Sequence, residues 1–114
     1  MGFRRNIEES LTLIASEAAT QRQMDFPLEE LRLDWESSFS VLTGDRANPQ
    51  AIACFNDAEL AGLCHFNQFI WSLPPEPDVM WHRDNLEQAP WPEVRARAEQ
   101  ALSMLRESAS DCQP

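Results

Sequence analysis

Apolar side chains recur along most of the chain at the three- and four-residue spacing of an amphipathic helix. The first such stripe consists of Ile7, Leu11, Ile14 and Ala18. It predicts a helix over residues 7–23. Asn6 and Glu9 have the residue types and the separation of a capping box, so we expect this helix to begin just after Asn6.

A second stripe predicts a helix over residues 27–42, with Pro27 suited to its first turn. The stripe consists of Leu28, Leu31, Trp35, Phe39 and Leu42. Gly44 follows, at a place where a helix C-cap favours a residue without a Cβ atom. Trp35 lies in the middle of this stripe and is predicted to belong to the core.

The strongest local helix signal begins at Asn56, which is an N-cap candidate with Glu59 at the third helical position. Phe55 and Leu60 flank this start and can form a hydrophobic staple. The helix is expected to continue to about Leu73, with a wide apolar face that includes Phe66, Phe69 and Trp71. Such a face predicts a position at the centre of the core.

The remaining segments are shorter or separated by prolines. Asn48 is an N-cap candidate before Pro49, and residues 50–55 fit either a short helix or a brief buried strand. A short helical segment is predicted over residues 79–87, and a last helix begins at about Trp91.

Together these elements predict a mostly α-helical fold, a compact bundle of four to five helices. The alternative is an α+β fold with one short strand near residues 50–55. The length of 114 residues predicts a single helical domain over 1–114. Its ends are expected to fray at about 1–5 and 108–114.

The charge of the chain is strongly negative and unevenly distributed. The formal net charge is −10, and thirteen acidic residues lie between residues 25 and 93 against Arg32, Arg46 and Arg83. Such a field repels nucleic acid and anionic membranes and attracts basic partners. The alternative is that the acidic residues serve only solubility.

Side chains with catalytic or metal-binding potential are few. Cys54, Cys64, His65 and His82 lack the paired spacing of zinc ligands, and the three glycines form no phosphate-binding loop. We therefore predict no enzymatic activity, no cofactor and no metal site. The odd number of cysteines and the absence of an apolar leader segment predict a cytoplasmic protein without a membrane span.

Two groups of residues are candidates for a partner-binding site. One is the acidic face of the second helix, with Glu30, Asp34 and Glu36. The other is the segment from Trp81 to Trp91, in which Asp84 and Glu87 accompany tryptophans that are suited to anchor an interface. The alternative for Trp81 and Trp91 is that both rings pack the last helix onto the bundle.

These features predict a small acidic protein-binding module that docks a basic macromolecular partner. An inhibitor or immunity-type protein, which neutralises a toxin or a nucleic-acid-binding protein, is one role of this kind. The alternative is a structural subunit of a homo-oligomer, because the apolar face of the 57–73 helix is wide enough for a symmetric dimer to cover part of it.

Overall fold

The computed structural model describes residues 2–24, 29–73, 86–87 and 89–112, and every regular element within these ranges is helical. The helices are α1 (Phe3–Ala15), α2 (Ala18–Arg22), α3 (Glu29–Phe39), α4 (Pro49–Ile52), α5 (Asp57–Trp71) and α6 (Trp91–Cys112). The predicted mostly helical bundle is confirmed. The alternative with a strand near residues 50–55 is wrong, because Asn48 caps α4 by accepting a hydrogen bond from the backbone N–H of Gln50 at 2.9 Å.

The first helix begins earlier than its sequence pattern predicts. Asn6 lies inside α1, and its backbone N–H donates to the carbonyl of Gly2 at 2.7 Å. Glu9 accepts from Arg5 at 3.0 Å, so the capping box predicted at Asn6 is wrong. The physical reason is Arg4, which donates to the carbonyls of Cys54 at 2.9 Å and Leu105 at 2.7 Å and so anchors the first turn.

Within the described residues the chain is helical from Phe3, and α6 ends at Cys112. Fraying of the two ends stays a prediction. The helical segment predicted over residues 79–87 lies mostly outside the described residues.

The single helix predicted over residues 7–23 is interrupted between α1 and α2. Ser16 and Glu17 adopt extended backbone with ψ of 152°. Gln21, fully buried in α2, stabilises the interruption because its amide donates to the carbonyls of Leu13 at 3.2 Å and Ile14 at 2.9 Å. Tertiary hydrogen bonds thus satisfy α1 carbonyls where the helix ends.

Gln21 also links this junction to α6. Its side-chain oxygen accepts from Nε of Arg95 at 3.1 Å, and Arg95 donates to the carbonyl of Leu86 as well. Desolvation by burial lowers the pKa of the Arg95 guanidinium, an effect that Glu87 opposes and Arg22 reinforces. The guanidinium nevertheless remains charged at neutral pH.

The core lies where α1 packs against α3 and α6, and where α5 packs against α6. Among its largest fully buried side chains are Leu11, Trp35, Leu63, Trp91 and Leu105. Trp35 joins α3 to α5, since its ring lies edge-to-face with Phe66 at a centroid distance of 4.9 Å. The indole N–H of Trp35 donates to Oδ1 of Asn67 at 2.9 Å, which satisfies its only polar group.

Helix α5 begins as its sequence predicts and ends at Trp71, two residues before the predicted end. Asn56 and Glu59 form both hydrogen bonds of the capping box. Two phenylalanines of the wide apolar face of α5 are covered by the chain itself, whereas Trp71 at the end of the helix is exposed. Phe66 is buried, and the guanidinium of Arg97 lies over the ring of Phe69 at 4.3 Å.

Candidate functional site

The outward face of α3 carries an apolar side chain between acidic ones. The inward face is formed by Leu31, Trp35 and Phe39, all buried. On the opposite face Leu33 is 55% exposed. Glu30 precedes Leu33 by three residues and Glu36 follows it by three, and side chains at this separation are neighbours on a helix surface.

The predicted acidic residues of α3 therefore share a surface with an exposed hydrophobic group. Glu30 and Asp34 are exposed, and they lie one turn apart along the helix. Glu36 is partly buried, and it accepts from Nε of Arg32 at 3.0 Å. We call the surface formed by Glu30, Leu33, Asp34 and Glu36 the α3 face.

Trp71 lies at the edge of the α3 face and not in the core. The sequence stripe of α5 predicts that Trp71 is buried, and this prediction is wrong, because the residue is 55% exposed. It is the last residue of α5, whose buried face is completed by Leu63, Phe66 and Ile70. The guanidinium carbon of Arg32 lies 4.9 Å from the Trp71 ring centroid, which connects α5 to the outer edge of α3.

A cleft of about 250 Å³ opens beside Trp71, between the end of α3, the turn after it and the end of α5. Its walls include Glu36, Phe39, Asp45, Arg46, Asn67 and Trp71. The aromatic ring and the carboxylates of Glu36 and Asp45 favour a cation, whereas the guanidinium of Arg46 opposes one.

The position of Asp45 in this cleft follows from the turn before it. Gly44 has a φ of +71°, which residues with a Cβ atom rarely adopt, and a 3-10 turn follows over Gly44–Arg46. The backbone N–H of Asn48 donates to the carbonyl of Val41 at 2.7 Å and closes the loop. This loop holds Asp45 and Arg46 beside the end of α3.

The second predicted site group is not assembled within the described residues. Trp91 is 0% exposed, so it belongs to the core, where it packs the start of α6 against the other helices. This corrects its prediction as a partner-binding residue and agrees with the packing alternative. Trp81 and Asp84 lie outside the described residues. Glu87 is exposed and pairs with Arg22 at 3.3 Å.

The described cysteine and histidine side chains form no metal site. Cys54 and Cys64 are half-buried with free thiols, and His65 is exposed. Among the described residues, no cluster of three or more His, Cys, Asp or Glu could hold a metal ion. Nor does any described helix have the length and hydropathy needed to cross a lipid bilayer.

Comparison of the chain with protein-family models, with curated proteins and with solved structures gives no significant match.

Proposed function

We propose that this protein is a small acidic binding module whose α3 face docks a basic protein. The observation that carries the proposal is the arrangement around Leu33. An exposed leucine lies between Glu30 and Glu36, and a half-exposed tryptophan lies at the edge of the same surface. Leu33 thus supplies an apolar centre with charged side chains around it, which is the usual anatomy of a protein interface.

The two kinds of side chain have separate roles in this proposal. The carboxylates attract a basic partner over long range and set its orientation, which raises the association rate at low salt. Leu33 and Trp71 supply apolar area that is removed from water after contact, and tryptophan is among the residues that most often dominate binding energy. The net charge of −10 reinforces the attraction to a basic surface.

A biological context that suits this proposal is inhibition. A nuclease-like toxin or a nucleic-acid-binding protein presents a basic surface to a polyanion, and an acidic face of this type would cover that surface. Association of two copies through the α3 face is disfavoured, because it would bring the carboxylates of one copy against those of the other.

The test compares two variants that each lose three negative charges and so share a net charge of −7. The first carries Glu30→Gln, Asp34→Asn and Glu36→Gln on the α3 face. The control carries Glu17→Gln, Glu99→Gln and Glu107→Gln, all exposed residues outside that face. Proteins from a lysate of the source cells that bind the immobilised wild-type chain are purified, and their affinities for all three chains are measured.

We expect the α3-face variant to bind about tenfold to a hundredfold more weakly, which corresponds to about 1.4 to 2.8 kcal/mol. The control variant should change the affinity by less than about threefold. Wild-type affinity should fall between about 0.1 M and about 1 M salt, because the Debye length shrinks from about 10 Å to about 3 Å. Equal losses in the two variants, or a dimeric mass with no basic protein retained, would contradict the proposal.

A further inference from the structure

We propose that the cleft beside Trp71 binds one arginine side chain of the basic partner. This inference rests on the proposed function and specifies one contact by which the basic partner is held. The cleft, of about 250 Å³, is smaller than the range of about 300–1,000 Å³ that is typical of pockets for small molecules. It therefore suits a single side chain that enters from a docked surface.

Beside the cleft, the chain's own Arg32 makes the kind of contact that we propose for the partner's arginine. Its guanidinium lies over the Trp71 ring at 4.9 Å while its Nε donates to Glu36 at 3.0 Å. A tryptophan ring and a carboxylate thus already hold one guanidinium. Although Arg32 covers part of the ring, Trp71 remains 55% exposed, so aromatic surface is left for a second cation.

Asp45 supplies the carboxylate for the incoming group. It is exposed on the 3-10 turn and lines the cleft on the side formed by that turn. Glu36 already accepts from Arg32, so Asp45 is the wall carboxylate that we assign to the partner's arginine. Arginine suits this geometry better than lysine, because its planar guanidinium stacks on an aromatic ring and presents paired donors to a carboxylate.

Asn67 keeps the wall of the cleft in place. Its Oδ1 accepts from the buried indole N–H of Trp35 at 2.9 Å, which ties the amide to the core. A rigid wall lowers the entropy that binding must overcome. Asn67 acts here as a positioning residue.

Arg46 also lines the cleft, and its positive charge opposes the entry of another cation. The proposal therefore predicts that Arg46→Gln strengthens the binding of an arginine ligand by about threefold. Arg106→Gln serves as the matched control, because it removes the same charge from an exposed position on α6 outside the cleft. An apolar docking site would not distinguish these two variants.

The experiment titrates the full chain with a capped glycine–arginine–glycine peptide and follows the indole N–H resonance of Trp71 by NMR. The same peptide with citrulline in place of arginine is the control, since citrulline has nearly the same shape without the charge. We expect a saturable shift of the Trp71 resonance, at least about tenfold weaker binding of the citrulline peptide, and weaker binding of a lysine peptide. Asp45→Asn should reduce the affinity for the arginine peptide by about threefold to tenfold.

Equal affinities for the arginine and citrulline peptides, or no response of Trp71, would overturn this inference. A different experiment tests the proposed function, namely the binding of the partner to the α3-face variant, so either proposal can fail without the other. If the α3-face variant loses partner binding but the peptide does not bind in the cleft, the docking surface is supported and the arginine pocket is rejected. If the peptide binds in the cleft but the α3-face variant binds the partner as tightly as the wild type does, the pocket is supported and the docking surface is rejected.

Discussion

Replacement of Trp35 by alanine is expected to lower the free energy of unfolding by about 3 to 5 kcal/mol, the range for truncating a large buried aromatic side chain. Trp35 is 0% exposed and stacks on Phe39 at a centroid distance of 5.3 Å. Its loss opens a cavity between α3 and α5 and leaves Asn67 without the hydrogen bond that its Oδ1 accepts. Urea unfolding monitored by far-ultraviolet circular dichroism measures the change.

Trp71→Ala is the matched control, since it removes the same side chain from the surface. The ring is half-exposed and its described interaction is with Arg32, so we expect a loss below about 1 kcal/mol. Similar losses in the two variants would contradict the assignment of Trp35 to the core and Trp71 to the surface. A stable Trp71→Ala protein also allows partner binding to be measured in a folded chain that lacks the aromatic wall of the cleft.

The parts of this fold that the sequence predicts correctly are those determined by neighbouring residues. The capping box of Asn56 and Glu59 involves groups three residues apart, and the Asn48 cap involves groups two residues apart. Both contacts join groups close in sequence at the start of a helix, so residue type and spacing are enough to predict them where the helix does begin there. The helical character of the bundle follows from the same kind of information.

The wrong predictions have a different origin, because tertiary contacts decided them. Asn6 and Glu9 have capping-box spacing, yet α1 begins before them. The reason is that Arg4 anchors the first turn to the carbonyls of Cys54 and Leu105. No glycine or proline marks the interruption at Ser16, which Gln21 stabilises from the core side. Hydrogen bonds from a side chain to the backbone of another element leave no periodic signal in the sequence.

The candidate site contains both features that the local sequence predicts and features that tertiary packing decides. The acidic residues of α3 could be placed on one surface from their helical spacing, although their role in binding stays a prediction. Trp35 and Trp71 both lie on apolar stripes, and only the packing of α3 against α5 distinguishes the buried ring from the exposed one. The cleft could not be predicted, because the turn at Gly44, and not any sequence spacing, places Asp45 in the same cleft as Trp71.

Replacement of Glu59 by alanine is the second change with a large expected effect. Glu59 is 3% exposed and pairs with Arg4 at 2.6 Å, and its carboxylate also accepts from the backbone N–H of Asn56 at 2.8 Å. Its removal leaves a guanidinium without its countercharge and opens the capping box of α5. Because Arg4 retains contact with water, we expect a loss of about 2 to 4 kcal/mol, at or slightly below the range for fully buried pairs.

The adjacent ion pair of α1 provides the control for this prediction. Arg5 and Glu9 are separated by 3.0 Å, a distance close to that of the buried pair, but their side chains are 83% and 61% exposed. Glu9→Ala should therefore lower the free energy of unfolding by less than about 0.5 kcal/mol. Urea unfolding of both variants separates the two cases. If Glu59→Ala proved as mild as Glu9→Ala, the Arg4–Glu59 pair would contribute little to stability, and Arg4 would anchor α1 through the carbonyls of Cys54 and Leu105 alone.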